Sequence, residues 1–169
     1  GRPAMLRKPQ SVQRSLLRPG GGNNHSIDLV QPVRFAEAVL PINPYVLGVW
    51  LGDGHRNRIT NPEDDIVARV RERLPAGDSL TAEPAASLRC PTWYLRAGTV
   101  TRALRALGIF DATAAAKRIP TEYLLADAPQ RLELLRGLCD TDGYVTEPAR
   151  TSVEFCTASA ELAEQVAWL

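Results

Sequence analysis

No run of about twenty apolar residues occurs in this 169-residue chain, so no helix long and greasy enough to span a bilayer is expected. The opening stretch GRPAMLRKPQSVQRSLLRPGGGNNHS lacks the apolar core of a signal peptide, and the protein is expected to be soluble and cytoplasmic. Cysteine is scarce. Cys90, Cys139 and Cys156 are odd in number, far apart and without paired spacing, which speaks against a disulfide framework and a zinc knuckle and leaves buried thiols. Only two histidines are present, His25 in a polar segment and His55 just after an Asp-Gly pair, and both read as solvated residues.

A large net charge is also missing, since 20 basic residues face 19 acidic ones. The distribution is uneven all the same. Arg2, Arg7, Lys8, Arg14, Arg18 and Arg34 stand against Asp28 alone, and Arg89, Arg96, Arg102, Arg105, Lys117 and Arg118 stand against Asp111, whereas the chain from Ile119 onward is acidic. Such asymmetry fits either a polyanionic partner that touches some faces and not others, or a solvated surface.

What is present is 44% hydrophobic content, enough for one ordinary domain with a short appendage. Residues 1–38 are rich in Pro, Gly and Asn and read as an extended or flexible connection. In INPYVLGVWLGDG, Asn43 is an N-cap, Pro44 the first helical residue and Gly54 the stop; the residues between are so apolar that the helix should be buried nearly all round. HRNRIT is a short strand, and NPEDDIVARVRERLP a helix opened by Asn61 and Pro62 with Ile66, Val67, Val70 and Leu74 near one face. SLTAE and SLRCPTWYLRAG form a strand pair, with Trp93 and Tyr94 expected in the core. TVTRALRALG is a helix closed by Gly108, and APQRLELLRGLCDTDG a second apolar helix starting at Pro129. YVTE and TSVEFCTAS make a hairpin, followed by a helix capped by Ser159. The whole reads as α+β, one mixed unit followed by the opening of a similar one.

Two helices therefore end in Asp-Gly, at Asp53 and Asp142, roughly ninety residues apart, a spacing that suits a duplicated lobe. An acid in the last helical turn opposes the macrodipole at a cost of about 0.3 to 1 kcal/mol, so something should offset it. Gly48 and Gly52 in the first helix, and Gly137 and Thr141 in the second, lie one turn apart on a face, which lets the two helices cross closely. Close crossing would bring both carboxylates together, where they repel unless a hard divalent cation lies between them. Magnesium there could activate water against a phosphodiester.

VLGVWLGDG and LRGLCDTDG resemble the paired signatures of LAGLIDADG homing endonucleases, especially the dodecapeptide (DOD) type found inside inteins, and LPINPYVLGVWLGDG resembles inteins of replicative DNA helicases. The resemblance implies an αββαββα lobe with the signature helices packed at the centre of a pseudo-two-fold molecule. It implies Asp53, Asp142 and Lys117 of KRIP as catalytic residues, and Asp53, Asp142, Gly52 and Thr141 around magnesium or manganese. Gly48, Gly52 and Gly137 become the helix interface, and Arg56, Arg58, Arg89, Arg96, Lys117 and Arg118 face double-stranded DNA. Residues 39–128 are then a first lobe and 129–169 the start of a second, truncated one that a second chain could complete, with 1–38 as a remnant of a splicing-domain linker. Gly1 and the final VAWL do not supply the residues self-splicing needs. Two other readings stay open: a maturase-like or regulator-like binding module on the same fold, and an unrelated α and β protein whose Asp-Gly pairs are ordinary caps lying far apart.

Overall fold

The structure, a computed structural model, describes residues 9–25, 31–83, 90–146 and 152–169. The chain divides into two compact units, Gly1–Pro32 and Val33–Leu169. The first unit is less extended than its Gly and Pro content suggests. Helix α1 (Pro9–Gln13) is followed by a bridge between Leu17 and Asn23, and the turn between them uses Gly20, Gly21 and Gly22 at positive φ. The Ser15 hydroxyl extends the local order by donating to the Ser11 carbonyl.

In the second unit α2 (Pro44–Asp53) begins where expected, with Asn43 Oδ1 accepting from Tyr45 N–H and Pro44 in the first turn. A hairpin of β1 (Gly54–His55) and β2 (Arg58–Thr60) follows without a linker. Helix α3 (Asp64–Arg73) buries Ile66, Val67 and Val70. It starts later than Asn61 suggests, and its N-terminal residue Glu63 offers no side-chain cap, although the Asn61 side-chain oxygen accepts from the Glu63 N–H just before the helix. Strands β3 (Ser79–Ala82) and β4 (Thr92–Arg96) complete a four-stranded antiparallel sheet in the order β1-β2-β4-β3. Helix α4 (Thr99–Ala106) closes the lobe. That is the αββαββα order.

A short α5 (Thr121–Leu124) leads to α6 (Ala128–Asp142), which opens with a full capping box between Asp127 and Gln130. Strands β5 (Gly143–Val145) and β6 (Val153–Phe155) pair antiparallel, and α7 (Ala160–Trp168) is capped by Ser159. The element after α6 thus repeats the one after α2, helix running straight into hairpin.

The core is the seam of α2 against α6, with Leu47, Val49, Trp50, Leu134 and Leu138 all at 0 or 1% exposure. This explains why α2 shows no apolar stripe: it is covered on every side. Outside the seam, Tyr45 Oη donates to Asp140 Oδ2 (2.7 Å), to which Arg69 also donates; burial first, then the Asp140 carboxylate, push the Tyr45 phenol up to about 12. Residues 33–42 are tied to α5 and to the first turn of α6. Gln130 exchanges two hydrogen bonds with the Ala38 backbone, Tyr123 Oη does the same with Ile42, and the buried Arg131 donates to the Val33 carbonyl with its guanidinium over both Phe35 and Trp168.

The sheet separates its two faces by the two-residue period of a strand. Ile59, Leu80 and Leu95 point into the core. Arg58, Tyr94 and Thr81 lie in register on the other face, joined by Arg96 and Ser79 one pair further on. Trp93 packs on the core as expected, with Arg71 over its ring. Tyr94 does not: alternation puts it on the polar face, where its hydroxyl donates to Glu83 (2.9 Å) beneath Arg96. Two adjacent aromatics in a strand cannot both face one core.

Candidate metal centre and nucleic-acid face

The glycines of the two signature helices meet each other. A Cβ placed on Gly48 would stand 2.3 Å from the Leu134 carbonyl oxygen, and one on Gly137 would stand 2.3 Å from the Tyr45 carbonyl oxygen. Their Cα atoms therefore touch the opposite backbone, and the approach is nearly symmetric. One turn on, the space a Gly52 side chain would need is filled by the Thr141 hydroxyl at 2.0 Å and by Asp142 Oδ2 at 3.3 Å. Asp142 thus lies against the residue next to Asp53. The two acids are neighbours, not separate caps.

Both helices end by the same device. Gly54 and Gly143 are extended (φ −88° and −87°), and each donates its N–H to the carbonyl four residues back, Trp50 and Cys139. In that conformation a Cβ would stand 2.4 Å from the Trp50 oxygen and 2.3 Å from the Cys139 oxygen. Only glycine lets a helix pass directly into a strand here, and the preceding aspartate is thereby held at the junction.

What offsets an acid at a helix C-terminus is Lys117. It is buried at 7% exposure, and its ammonium donates to the carbonyls of Gly52 (2.8 Å) and Trp50 (3.4 Å), caps α2 and lies over the Trp50 ring. Burial lowers its pKa, while the Asp142 and Asp53 charges act to raise it. Burial raises Asp53, against an Asn61 hydrogen bond and the Lys117 charge; burial also raises Asp142, aided by the Asp53 charge and opposed by Lys117. All three groups feel one another.

Asn61 has a second task beyond the one its sequence pattern suggests. It is 4% exposed, and its amide donates to Asp53 Oδ2 (2.6 Å) while its Oδ1 accepts from Glu63 N–H. The N-cap pattern of Asn before Pro conceals this role; only the hairpin that carries β2 back past α2 brings the amide to the carboxylate. The Thr141 hydroxyl is turned back to the carbonyls of Gly137 and Leu138, and the Gly52 carbonyl already accepts from Lys117. Arg58 and Arg96 are exposed on the polar sheet face, Arg56 pairs with Asp111 (2.9 Å), Arg118 is half-buried, and Arg89 lies outside the described residues.

A destabilised pair of like charges makes a testable demand. Asp142 holds its proton more readily in the fold than in the unfolded chain, so its contribution to stability is present at acid pH and is lost as the pH rises through its raised value. Asp142→Asn escapes that loss. In the metal-free protein at neutral pH it should be the more stable of the two, by no more than about 1 kcal/mol once solvent screening at this half-exposed site is counted, and the gain should disappear as the pH falls into the ordinary aspartate range. Thermal melts of both proteins across that window check it; a variant less stable at neutral pH would contradict the charge argument.

Residues 129–169 match the family model described as LAGLIDADG-like domain. Over 148 residues the chain is 34% identical to a replicative DNA helicase DnaB of Mycobacterium intracellulare, a match that covers 86% of this chain and 21% of that helicase. The chain carries a LAGLIDADG-like domain, with the second signature helix at the start of the matched region. It spans about a fifth of the relative's length.

LAGLIDADG endonucleases generally use divalent metals. Among the described residues no cluster of three or more His, Cys, Asp or Glu side chains could hold a metal ion. Asp53 and Asp142 alone supply two hard oxygen donors. Magnesium commonly binds through one or two carboxylates, with water and substrate phosphate completing the shell, so a two-acid site suits it. Among the described residues no helix is long and apolar enough to cross a membrane.

Proposed function

We propose that the chain is the homing-endonuclease part of an intein in a replicative DNA helicase, and that it hydrolyses a phosphodiester bond in each strand of double-stranded DNA at a specific site. The carrying observation is the convergence of Asp53, Asp142 and Lys117 at the paired ends of two glycine-packed helices. The part similar to the helicase holds no GxxxxGK[ST] phosphate loop, so it is not read as the nucleotide-driven motor. Residues 39–128 are then the first endonuclease lobe and 129–169 the start of the second, with 1–38 as a remnant of a splicing-domain linker.

In this reading Asp53 and Asp142 hold a magnesium or manganese ion, which when bound neutralises phosphate charge and supplies an activated water. Asn61 fixes the Asp53 carboxylate. Lys117 has three N–H donors and gives two to carbonyls, which leaves one for the attacking water or the scissile phosphate. Gly52 keeps a second carbonyl lone pair for the site. The polar sheet face, with Arg58 and Arg96 exposed, lies along the DNA; arginines there set affinity through phosphates and sequence choice through base edges.

The test is cleavage of a randomised duplex library by the intact polypeptide in magnesium or manganese. Metal-dependent cutting at one recovered sequence supports the reading. Duplex or RNA binding without cutting in either metal would overturn it in favour of the maturase-like or regulator-like module.

A further inference from the structure

The polar sheet face does not hold all the exposed arginines of the lobe. An open groove runs between the β1–β2 turn, the end of β4 and α4, bordered by Asn57, Arg96, Gly98, Arg102, Arg105 and Phe110. Arg96, Arg102 and Arg105 are exposed, and none forms an ion pair with a described residue. Neutral groups hold them in place. Arg96 Nε donates to Thr81 Oγ1 (2.9 Å) over the Tyr94 ring, Arg102 donates to Thr99 Oγ1 (3.3 Å), and Arg105 lies 4.0 Å from the Phe110 ring centre.

The nearby acids are already engaged. Asp78 gives its two oxygens to the N–H groups of Thr99 and Val100 (3.1 and 2.9 Å), and Asp111 is paired with Arg56. Three like charges around one groove repel each other until a polyanion enters, and the guanidinium fork suits phosphate oxygens. Arg96 belongs both to the sheet face and to the groove, so the basic path is continuous from one to the other.

We propose that this groove is a second DNA contact, gripping the sugar–phosphate backbone of the duplex that flanks the stretch facing the sheet. It adds affinity and salt dependence without reading sequence. The inference rests on the DNA-binding reading above.

The experiment is fluorescence anisotropy of a labelled mixed-sequence duplex across a salt series, with the wild type, Arg102→Ala, Arg102→Ala/Arg105→Ala, and Arg58→Ala on the sheet. Removing one phosphate-neutralising arginine lowers the slope of log affinity against log salt by about 0.9, so the single groove variant should drop by about one unit and the double by about two, whatever the sequence. Arg102 is exposed and its side chain makes one hydrogen bond among the described residues, to Thr99, which keeps the single variant informative should Arg105 matter for packing on Phe110. An unchanged slope in both groove variants, with a reduced slope in Arg58→Ala, overturns the groove alone. No salt-dependent duplex binding by the wild type overturns both readings. Polyglutamate binding through Arg102 and Arg105 while duplex is ignored overturns the choice of nucleic acid.

Discussion

Gly48→Ala and Gly137→Ala are each expected to destabilise the protein by about 3 kcal/mol or more, against a total of about 5 to 15 kcal/mol for a domain. The direction is opposite to intrinsic propensity, since replacing glycine by alanine inside a helix ordinarily gains about 1 kcal/mol. Here the new methyl meets backbone rather than flexible side chains. On Gly48 it would lie 2.3 Å from the Leu134 oxygen and 2.9 Å from the Leu138 nitrogen; on Gly137, 2.3 Å from the Tyr45 oxygen and 2.9 Å from the Val49 nitrogen. Helices cannot yield locally, so α2 and α6 must move apart. That opens the packing of Trp50, Leu47, Leu134 and Leu138, which are all but fully buried. Urea denaturation followed by circular dichroism measures the loss. Gly77→Ala is the control: it has open space around it but φ +88°, so it should cost only the backbone strain of about 1 kcal/mol. A Gly48 or Gly137 variant within 1 kcal/mol of wild type would mean the helices are not held in backbone contact.

Asp53→Asn is expected to reduce metal-dependent cutting by at least about a thousandfold, equivalent to about 4 kcal/mol of lost transition-state stabilisation. Stability should change little or improve. The Asn61 amide can still donate to the new side-chain oxygen in place of Asp53 Oδ2, and a partly buried charge whose pKa is already raised by desolvation is removed. The two readouts should therefore move apart. Single-turnover cleavage gives the rate, and thermal melts with and without magnesium give the fold; wild type should be stabilised by the metal and the variant far less. A variant that still cuts within tenfold of wild type would remove Asp53 from the chemistry.

The two largest effects fall on residues that are visible in the sequence for the same reason. Glycine at helical spacing inside an apolar run has no local justification, and an aspartate at a helix C-terminus opposes the dipole. Each is a local disadvantage that only a partner elsewhere can offset. Helix boundaries are legible where their signals are local: Asn43 with Pro44, and Ser159, act within three residues, whereas the capping box of Asp127 with Gln130 starts α6 at Ala128, one residue before the Pro129 that the sequence suggests. The burial of α2 is legible from its unbroken apolar content.

Other features need neighbours distant in the chain. Asn61 carries an N-cap signature and does accept from the Glu63 N–H, but its second partner, Asp53, is fixed by the β1–β2 hairpin. Tyr94 has the composition of a core residue, but strand register sends it to the opposite face from Trp93. The three arginines of the groove are spread over β4 and α4 with nothing in their spacing to join them. Lys117 can be picked out by its place in KRIP, but that its ammonium caps α2 is decided by a hydrogen bond to a carbonyl 65 residues away. The sequence alone determined where the longer helices lie, that α2 and α6 stop at Asp-Gly and that these two can meet closely, because caps, periodicity and missing side chains are properties of the local chain; the short α1 and α5 carry no such signal. The tertiary structure decided which charges neutralise one another and which face is left basic, because electrostatic energy depends on distance in space and on burial, and neither is written in residue order.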